Sequence, residues 1–362
     1  MAQLRIPGPT PCPPEVLEAM GWQMVNHRGP EFKELILGVT AKLQQVFQTK
    51  NDVLLLSGSG TGGLEAAAVN VLSPGDKVLS VSIGVFGDRF AAIAKEFGAE
   101  VVSLNFEWGQ GADPDEVKKA IAANPEVKTV FVTHNETSTG VTNDMASLAG
   151  VIKGAGKLMV VDAISSLGSV DFPVDKWGCD VVITGSQKGW MVPPGLAMVS
   201  VSEAAWKAHA GAKMPRFYWD FARAKKSLEK GQNPWTPTVS VIYALGVALD
   251  MMLKEGMPNI YARHARISQL ARDGVKGLGL PLFADEKYAS NTVTAVSAAK
   301  GLDIKILRQV MQADHGIVLA GGQQKLDGHV FRIGHLGYVS EEEIKEVIAA
   351  LKEALPKAGY TG

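Results

Sequence analysis

The run VLLL at Val53–Leu56 is followed by the Gly-rich SGSGTGG and then by the Ala-rich LEAAAVNVL. The same alternation, a short apolar run and then a helical pattern, recurs down the chain. Seven runs read as strands: VLLL, KVLSVS, EVVSLNF, VKTVFVT, KLMVVDA, DVVIT and LAMVSVS. Their apolar positions are consecutive rather than alternate, which suits a parallel sheet covered on both faces. Ahead of them, FKELILGVTAKLQQVF places Phe32, Leu35, Ile36, Val39, Leu43, Val46 and Phe47 on one helical face. SPGD at Ser73–Asp76 and DPDEVKKAIAA from Asp113 supply a helix stop and a helix start.

Near Glu255-Gly256-Met257-Pro258 the pattern changes. A long basic helix is expected in NIYARHARISQLARDGVKGLG. After it come NTVTAVS, a helix DIKILRQVMQAD, strands in GIVLAGG and HVFRIGH, and a final helix from Glu341. The expected fold is α/β: an extended, proline-rich arm over residues 1–20, a large domain over 21–255 with a mostly parallel sheet between helices, and a smaller α+β domain over 256–362. Repeats and low-complexity segments are absent.

Composition narrows the function classes. A chain of 362 residues can build two domains around a large core. The net charge of -1 gives no reason to expect nucleic acid or an anionic membrane as partner. Two cysteines, Cys12 and Cys179, make neither a disulfide framework nor a zinc spacing, so a cytoplasmic location is expected. The opening MAQLRIPGPTPCPPEV lacks the cationic start and apolar run of a secretory leader, and KAGYTG is not a peroxisomal address. No window approaches the ~18 apolar residues of a membrane span.

Gly58, Gly60 and Gly63 form a G-x-G-x-x-G between a strand and a helix. A nicotinamide site also needs a carboxylate about 20 positions on, at the end of the next strand. That strand ends at Ser82, and Asp76 stands at its wrong end. A phosphate at the free amides of the helix start remains the better expectation. In an open parallel sheet, ligands gather beyond the carboxyl ends of the strands. Those ends carry Ser59, Gly60 and Thr61, then Phe86, Thr137, Asp162, Gln187 and Lys188. An anion cup, a ring, hydroxyls, a carboxylate and a lysine together match pyridoxal phosphate, whose aldehyde needs an amine and whose ring nitrogen needs a carboxylate.

Six stretches, SGSGTGGLEAA, THNETSTGVTND, VVDAISSLG, DKWGCDVVITGSQKG, SNTVTAV and FRIGHLG, resemble in order and spacing the class V, fold-type I pyridoxal-phosphate aminotransferases of the alanine–glyoxylate and serine–glyoxylate kind. The resemblance spans essentially the whole chain. It implies that Lys188 is the Schiff-base lysine and proton shuttle and that Asp162 partners the ring nitrogen. Phe86 takes the place of the stacking aromatic, where tryptophan is common. Ser59, Gly60, Thr61 and Gln187 are similar to phosphate contacts, and Thr137 to the hydroxyl near the phenolic oxygen. Thr236 resembles a threonine that reaches the phosphate of a neighbouring subunit, which implies a homodimer with shared active sites. Arg332 looks like the clamp for the substrate α-carboxylate, and His27 and Arg28 are further candidates for the mouth of the site. Trp190 departs from the small residue and leucine or methionine that often follow the lysine, and is expected to alter the entry or the pocket wall.

The resemblance thus implies transfer of an amino group from alanine or serine to glyoxylate or another small 2-oxo acid, by a ping-pong mechanism. A lyase or a cysteine desulfurase on the same fold is the alternative. Desulfurases need a cysteine on a mobile loop near the substrate. Cys12 stands in the arm and Cys179 just before a strand. A nicotinamide dehydrogenase leaves Lys188 and Asp162 without a role, and a passive subunit would not need the full set.

Overall fold

The structure, a computed structural model, describes residues 2–360; Met1, Thr361 and Gly362 lie outside the described residues. Strand β1 (Gln3–Arg5) opens the chain. It is followed by β2 (Asp52–Gly58), β3 (Lys77–Ser82), β4 (Glu100–Asn105) and β5 (Thr129–Thr133). A short hairpin of β6 (Asn135–Glu136) and β7 (Val141–Thr142) leads to β8 (Leu158–Asp162), β9 (Val181–Gly185) and β10 (Gly195–Val201). The last three are β11 (Val293–Ser297), β12 (Ile317–Gly321) and β13 (Val330–Gly334).

Seven strands form the main sheet, in the order β2-β10-β9-β8-β5-β3-β4. From β9 to β4 every pairing is parallel. Strand β10 runs antiparallel to both β2 and β9, so β2 points the same way as the parallel strands. The carboxyl ends of six strands therefore meet at one edge. Alternate residues of β2 enter opposite cores: Val53 and Leu55 pack on one face, Leu54 and Leu56 on the other. Burial on both faces explains the unbroken apolar runs. The first core is closed by the helices Pro30–Phe47 and Val239–Glu255, the second by Gly60–Val71 and Val85–Glu96.

A second sheet has the order β1-β12-β13-β11, with the helices Met257–Gly277, Ile304–His315 and Glu341–Lys357 around its core. Its first member differs from the sequence expectation. An extended arm is expected over residues 1–20, and within it Gln3–Arg5 pairs in parallel with Ile317–Leu319. Buried Arg5 forms an ion pair with Glu343, which belongs to the capping box that starts the last helix. The chain start is thus fastened to the far end of the sequence. Among the described residues no helix is long and apolar enough to cross a membrane.

Candidate active site

The anion cup arises where β2 gives way to the helix Gly60–Val71. Ser59 is the N-cap, and its side chain makes no capping bond. The first backbone bond is from Gly63 N–H to Ser59 O at 3.1 Å, which leaves the amides of Gly60, Thr61 and Gly62 ahead of it. The start of the helix packs closely on Ile164: a Cβ at Gly60 would lie 2.6 Å from Ile164 Cδ1, and that side chain would have to shift to admit it. Ser59, Gly60 and Thr61 line a cavity of about 140 Å³ together with Phe86, Thr137, Asp162, Gln187 and Lys188. Eight of the residues singled out from the sequence thus meet around one space.

Asp162 ends β8 and is buried, and its Oδ1 accepts from the Ile164 N–H at 2.9 Å. Burial, opposed by that amide and reinforced by the Glu136 carboxylate, pushes its pKa up to about 7. Lys188 follows β9 after two residues, Ser186 and Gln187. Burial pulls its amine down to about 8, although Asp162 favours the charged form; Arg332 and Arg89 oppose it. A substantial neutral fraction of the amine therefore exists near neutral pH, beside a carboxylate that a cation in the cavity would hold charged. Lys188 Nζ donates to the Pro7 carbonyl at 2.6 Å.

Phe86 sits in the first turn of the helix Val85–Glu96, and Glu136 anchors that turn. The Glu136 carboxylate accepts from the Phe86 and Gly87 amides at 3.0 and 3.2 Å, and from the Ser138 amide and hydroxyl at 3.1 and 2.6 Å. It is fully buried, and desolvation raises its pKa against those bonds. Thr137 Oγ1 donates to Ser165 Oγ at 2.8 Å, and Asn135 Nδ2 donates to the same oxygen at 2.8 Å. The Gln187 Oε1 atom is buried without a hydrogen-bond partner among the described residues.

Five of the expected residues, Arg332, Thr236, His27, Arg28 and Trp190, stand outside the cavity lining. Arg332, on β13, is buried; its Nη1 donates to the Thr137 carbonyl at 3.0 Å and its Nε to the Gly321 carbonyl at 2.9 Å. It touches the cavity wall through Thr137. Thr236 is exposed on the loop before the helix Val239–Glu255. Arg28 pins that loop, with Nη1 donating to the Asn233 carbonyl at 2.8 Å, and does not line the cavity. Trp190, expected to reshape the pocket wall, points instead into the core. It is fully buried, donates to Thr184 Oγ1 at 2.9 Å and lies against Phe47. The sequence reading missed Arg89, Asn135, Ser165 and the Pro7 carbonyl. Arg89 had a signal, lying one turn after Phe86; a backbone carbonyl has none.

Fold and site together define an α/β enzyme built around a lysine and an aspartate at the strand ends. The chain belongs to the class-V aminotransferase family: the profile described as "Aminotransferase class-V" matches residues 4–347. It is 44% identical to a Synechococcus sp. protein named "Soluble hydrogenase, small subunit", over 99% of this chain and 94% of that one. It is 37% identical to a serine–glyoxylate aminotransferase of Methylorubrum extorquens, over 97% and 90% of the two chains. The crystal structure of pyridoxamine–pyruvate aminotransferase from Mesorhizobium loti superposes with a TM-score of 0.95 at 33% identity, covering 99% of this chain and 93% of that one.

Proposed function

We propose that the protein is a pyridoxal-phosphate-dependent aminotransferase that moves the amino group of a small amino acid, alanine or serine, to glyoxylate or another small 2-oxo acid. The observation that carries this reading is the convergence of Lys188, Asp162 and the Ser59–Thr61 cup on one cavity. The donor set fits the cofactor: free amides and hydroxyls for a phosphate, an aromatic ring, a buried carboxylate and an amine of lowered pKa. When bound, pyridoxal phosphate supplies an electrophilic carbon for amines and a ring that draws electrons from the substrate Cα.

The protein groups supply the rest. Lys188 Nζ anchors the cofactor and, once free, takes the proton from the substrate Cα. Asp162 holds a proton on the ring nitrogen by its charge, Phe86 covers the ring, and Thr137 and Gln187 fix its polar edges. Arg332 orients the substrate α-carboxylate with a planar fork. With the cofactor bound, the donor would pass its amino group to it and depart as a 2-oxo acid in the first half-reaction; in the second, the acceptor would collect that group. Thr236 reaches the phosphate held by a second copy, which makes the working unit a homodimer, and the compartment is cytoplasmic. An arm over 1–20, whose residues Gln3–Arg5 add a strand to the second sheet, a cofactor-binding part over 21–255 and a smaller part over 256–362 are the proposed divisions.

Serine–glyoxylate transfer is what the Methylorubrum relative is named for, and the small-substrate assignment leans on it. A desulfurase reading has less support, because burial pushes the Cys12 thiol up to about 11 and the Cys179 thiol up to about 12. The hydrogenase name of the Synechococcus relative leaves the lysine–aspartate cavity unused, whereas transamination uses all of it.

The test is an absorption spectrum of the purified protein with pyridoxal phosphate, before and after L-serine or L-alanine. A visible band that the amino acid converts to a near-ultraviolet one is expected, absent in Lys188→Ala. A wild-type protein that forms no such band overturns the reading.

A further inference from the structure

Arg89 stands one turn after Phe86 on the helix Val85–Glu96, so the two side chains share a face. Its guanidinium lies 4.7 Å from the centre of the Phe86 ring, and Nη1 reaches Thr61 Oγ1 at 3.5 Å. Among the described residues it makes no other hydrogen bond and no ion pair. Arg89 is half-buried and lines the same cavity as the anion cup. A guanidinium with several free N–H groups and no carboxylate partner, placed beside a set of free amides, is suited to an anion.

Charge balance leads to the same place. A phosphate monoester carries about -1.5 to -2 at pH 7. The groups of the cup itself are neutral hydroxyls and amides, and a helix start contributes only about half a positive charge. Lys188 is occupied with its own chemistry, and Asp162 adds negative charge. Arg89 is the one guanidinium among the residues that line the cavity.

Building on the pyridoxal-phosphate reading, we propose that Arg89 is the cationic ligand of the cofactor phosphate. It donates charge-assisted hydrogen bonds to the phosphate seated at Ser59–Thr61, and its station over Phe86 keeps it at the edge of that seat. Arg89 would then set how tightly the cofactor is held between half-reactions, when no covalent link to Lys188 exists.

Pyridoxamine 5′-phosphate and pyridoxamine separate the possibilities, since neither can bond covalently to Lys188. Their dissociation constants are measured by calorimetry on cofactor-free wild type, Arg89→Gln and Arg89→Lys. Arg89→Gln is expected to weaken the phosphorylated ligand about ten- to a hundredfold and to leave pyridoxamine within about twofold, with Arg89→Lys in between. Equal losses for both ligands would mean that Arg89 serves only the Phe86 ring, and an unchanged constant for the phosphorylated ligand would mean no contact at all. Either overturns the inference while the aminotransferase reading stands. A wild-type protein that binds neither ligand overturns both. Melting temperatures of the three proteins guard against misfolding, and Arg89→Lys retains the test if Arg89→Gln does not fold.

Discussion

The Lys188 amine donates to the carbonyl oxygen of Pro7 at 2.6 Å, across 181 positions of sequence. The contact is held from both sides. Upstream, β1 pairs with β12 and Arg5 is tied to Glu343. Downstream, the Thr10 N–H donates to the Gln187 carbonyl at 3.1 Å and the Thr10 hydroxyl to the Lys188 carbonyl at 2.9 Å. The chain start is therefore a strap laid over the lysine loop. It gives the free amine an acceptor that is not a carboxylate and so does not force it to stay charged.

Gly8 is where the strap is most sensitive. Its φ is +134°, and a Cβ would stand 2.7 Å from Lys188 Nζ and Cδ. Gly8→Ala is expected to cost about 1–3 kcal/mol in backbone strain and contact, lowering the melting temperature by a few degrees. It should also slow the formation of the lysine-bound cofactor band, because the amine must move away. An unchanged melting temperature together with an unchanged rate of band formation would remove the strap from the account.

The pKa of Lys188 makes a kinetic forecast. Burial lowers it from 10.5 to about 8, so at pH 7 roughly a tenth of the amine is neutral and nucleophilic. Capture of pyridoxal phosphate by the cofactor-free protein should speed up through about pH 8 and then level off. A solvent-exposed lysine would keep accelerating beyond pH 10. Stopped-flow absorbance in amine-free buffer reads the inflection. Asp162→Asn should move it lower, since the Asp162 carboxylate is the neighbour that favours the charged amine.

Asp162 gives a stability forecast of opposite form. Its pKa in the folded protein rises from 3.8 to about 7, so between those values the folded state binds more protons than the unfolded one. The contribution is fully present below about pH 4 and is lost as pH rises through about 7. Relative to Asp162→Asn, the cofactor-free protein should therefore lose stability across that window. Urea unfolding of both proteins at pH 4.5 and pH 7.5 checks it; a difference that does not change with pH counts against the burial argument.

How much of this could be read from the chain depends on where the information lies. The inner strands of the main sheet are legible because burial on both faces leaves an unbroken apolar signature, as at Val130–Val132, whereas the edge strand β4 is partly exposed. The reversed direction of β10 left no such mark, since apolar runs do not encode polarity. β1 was illegible for another reason: three residues ending in a buried arginine make sense only with Glu343 beside them. At the site, Ser59, Asp162, Gln187 and Lys188 were legible because a parallel sheet delivers its strand ends to one edge. Trp190 was misjudged because its nearness in sequence to Lys188 said nothing of which way its ring would point.

Glu136 carries no mark in the sequence that sets it apart from its neighbours, yet the structure makes it the anchor of Phe86. Each of its oxygens accepts two hydrogen bonds, from Phe86 and Gly87 on one side and from Ser138 on the other. Glu136→Gln keeps the shape but turns an NH2 group toward one pair of donors. A loss of about 1–3 kcal/mol in stability is expected, with weaker binding of pyridoxamine and of its phosphate alike if Phe86 is displaced from the cavity wall. Calorimetry and thermal melting read both. Full stability with normal binding would show that the helix start holds its place without the carboxylate.

Arg332 offers the sharpest separation between holding the substrate and holding the site. Its Nε and Nη1 are engaged by the Gly321 and Thr137 carbonyls, while Nη2 has no partner among the described residues. Burial lowers its pKa to about 10, still cationic at neutral pH. Arg332→Lys keeps the charge and loses the fork, so the KM for the amino acid should rise about ten- to a hundredfold with a smaller change in kcat. The lysine-bound cofactor band should be unaltered, since Arg332 reaches the cavity wall only through the Thr137 backbone. If instead the band weakens and KM stays put, Arg332 is a brace for Thr137, and the carboxylate clamp must be sought elsewhere on the same edge of the sheet.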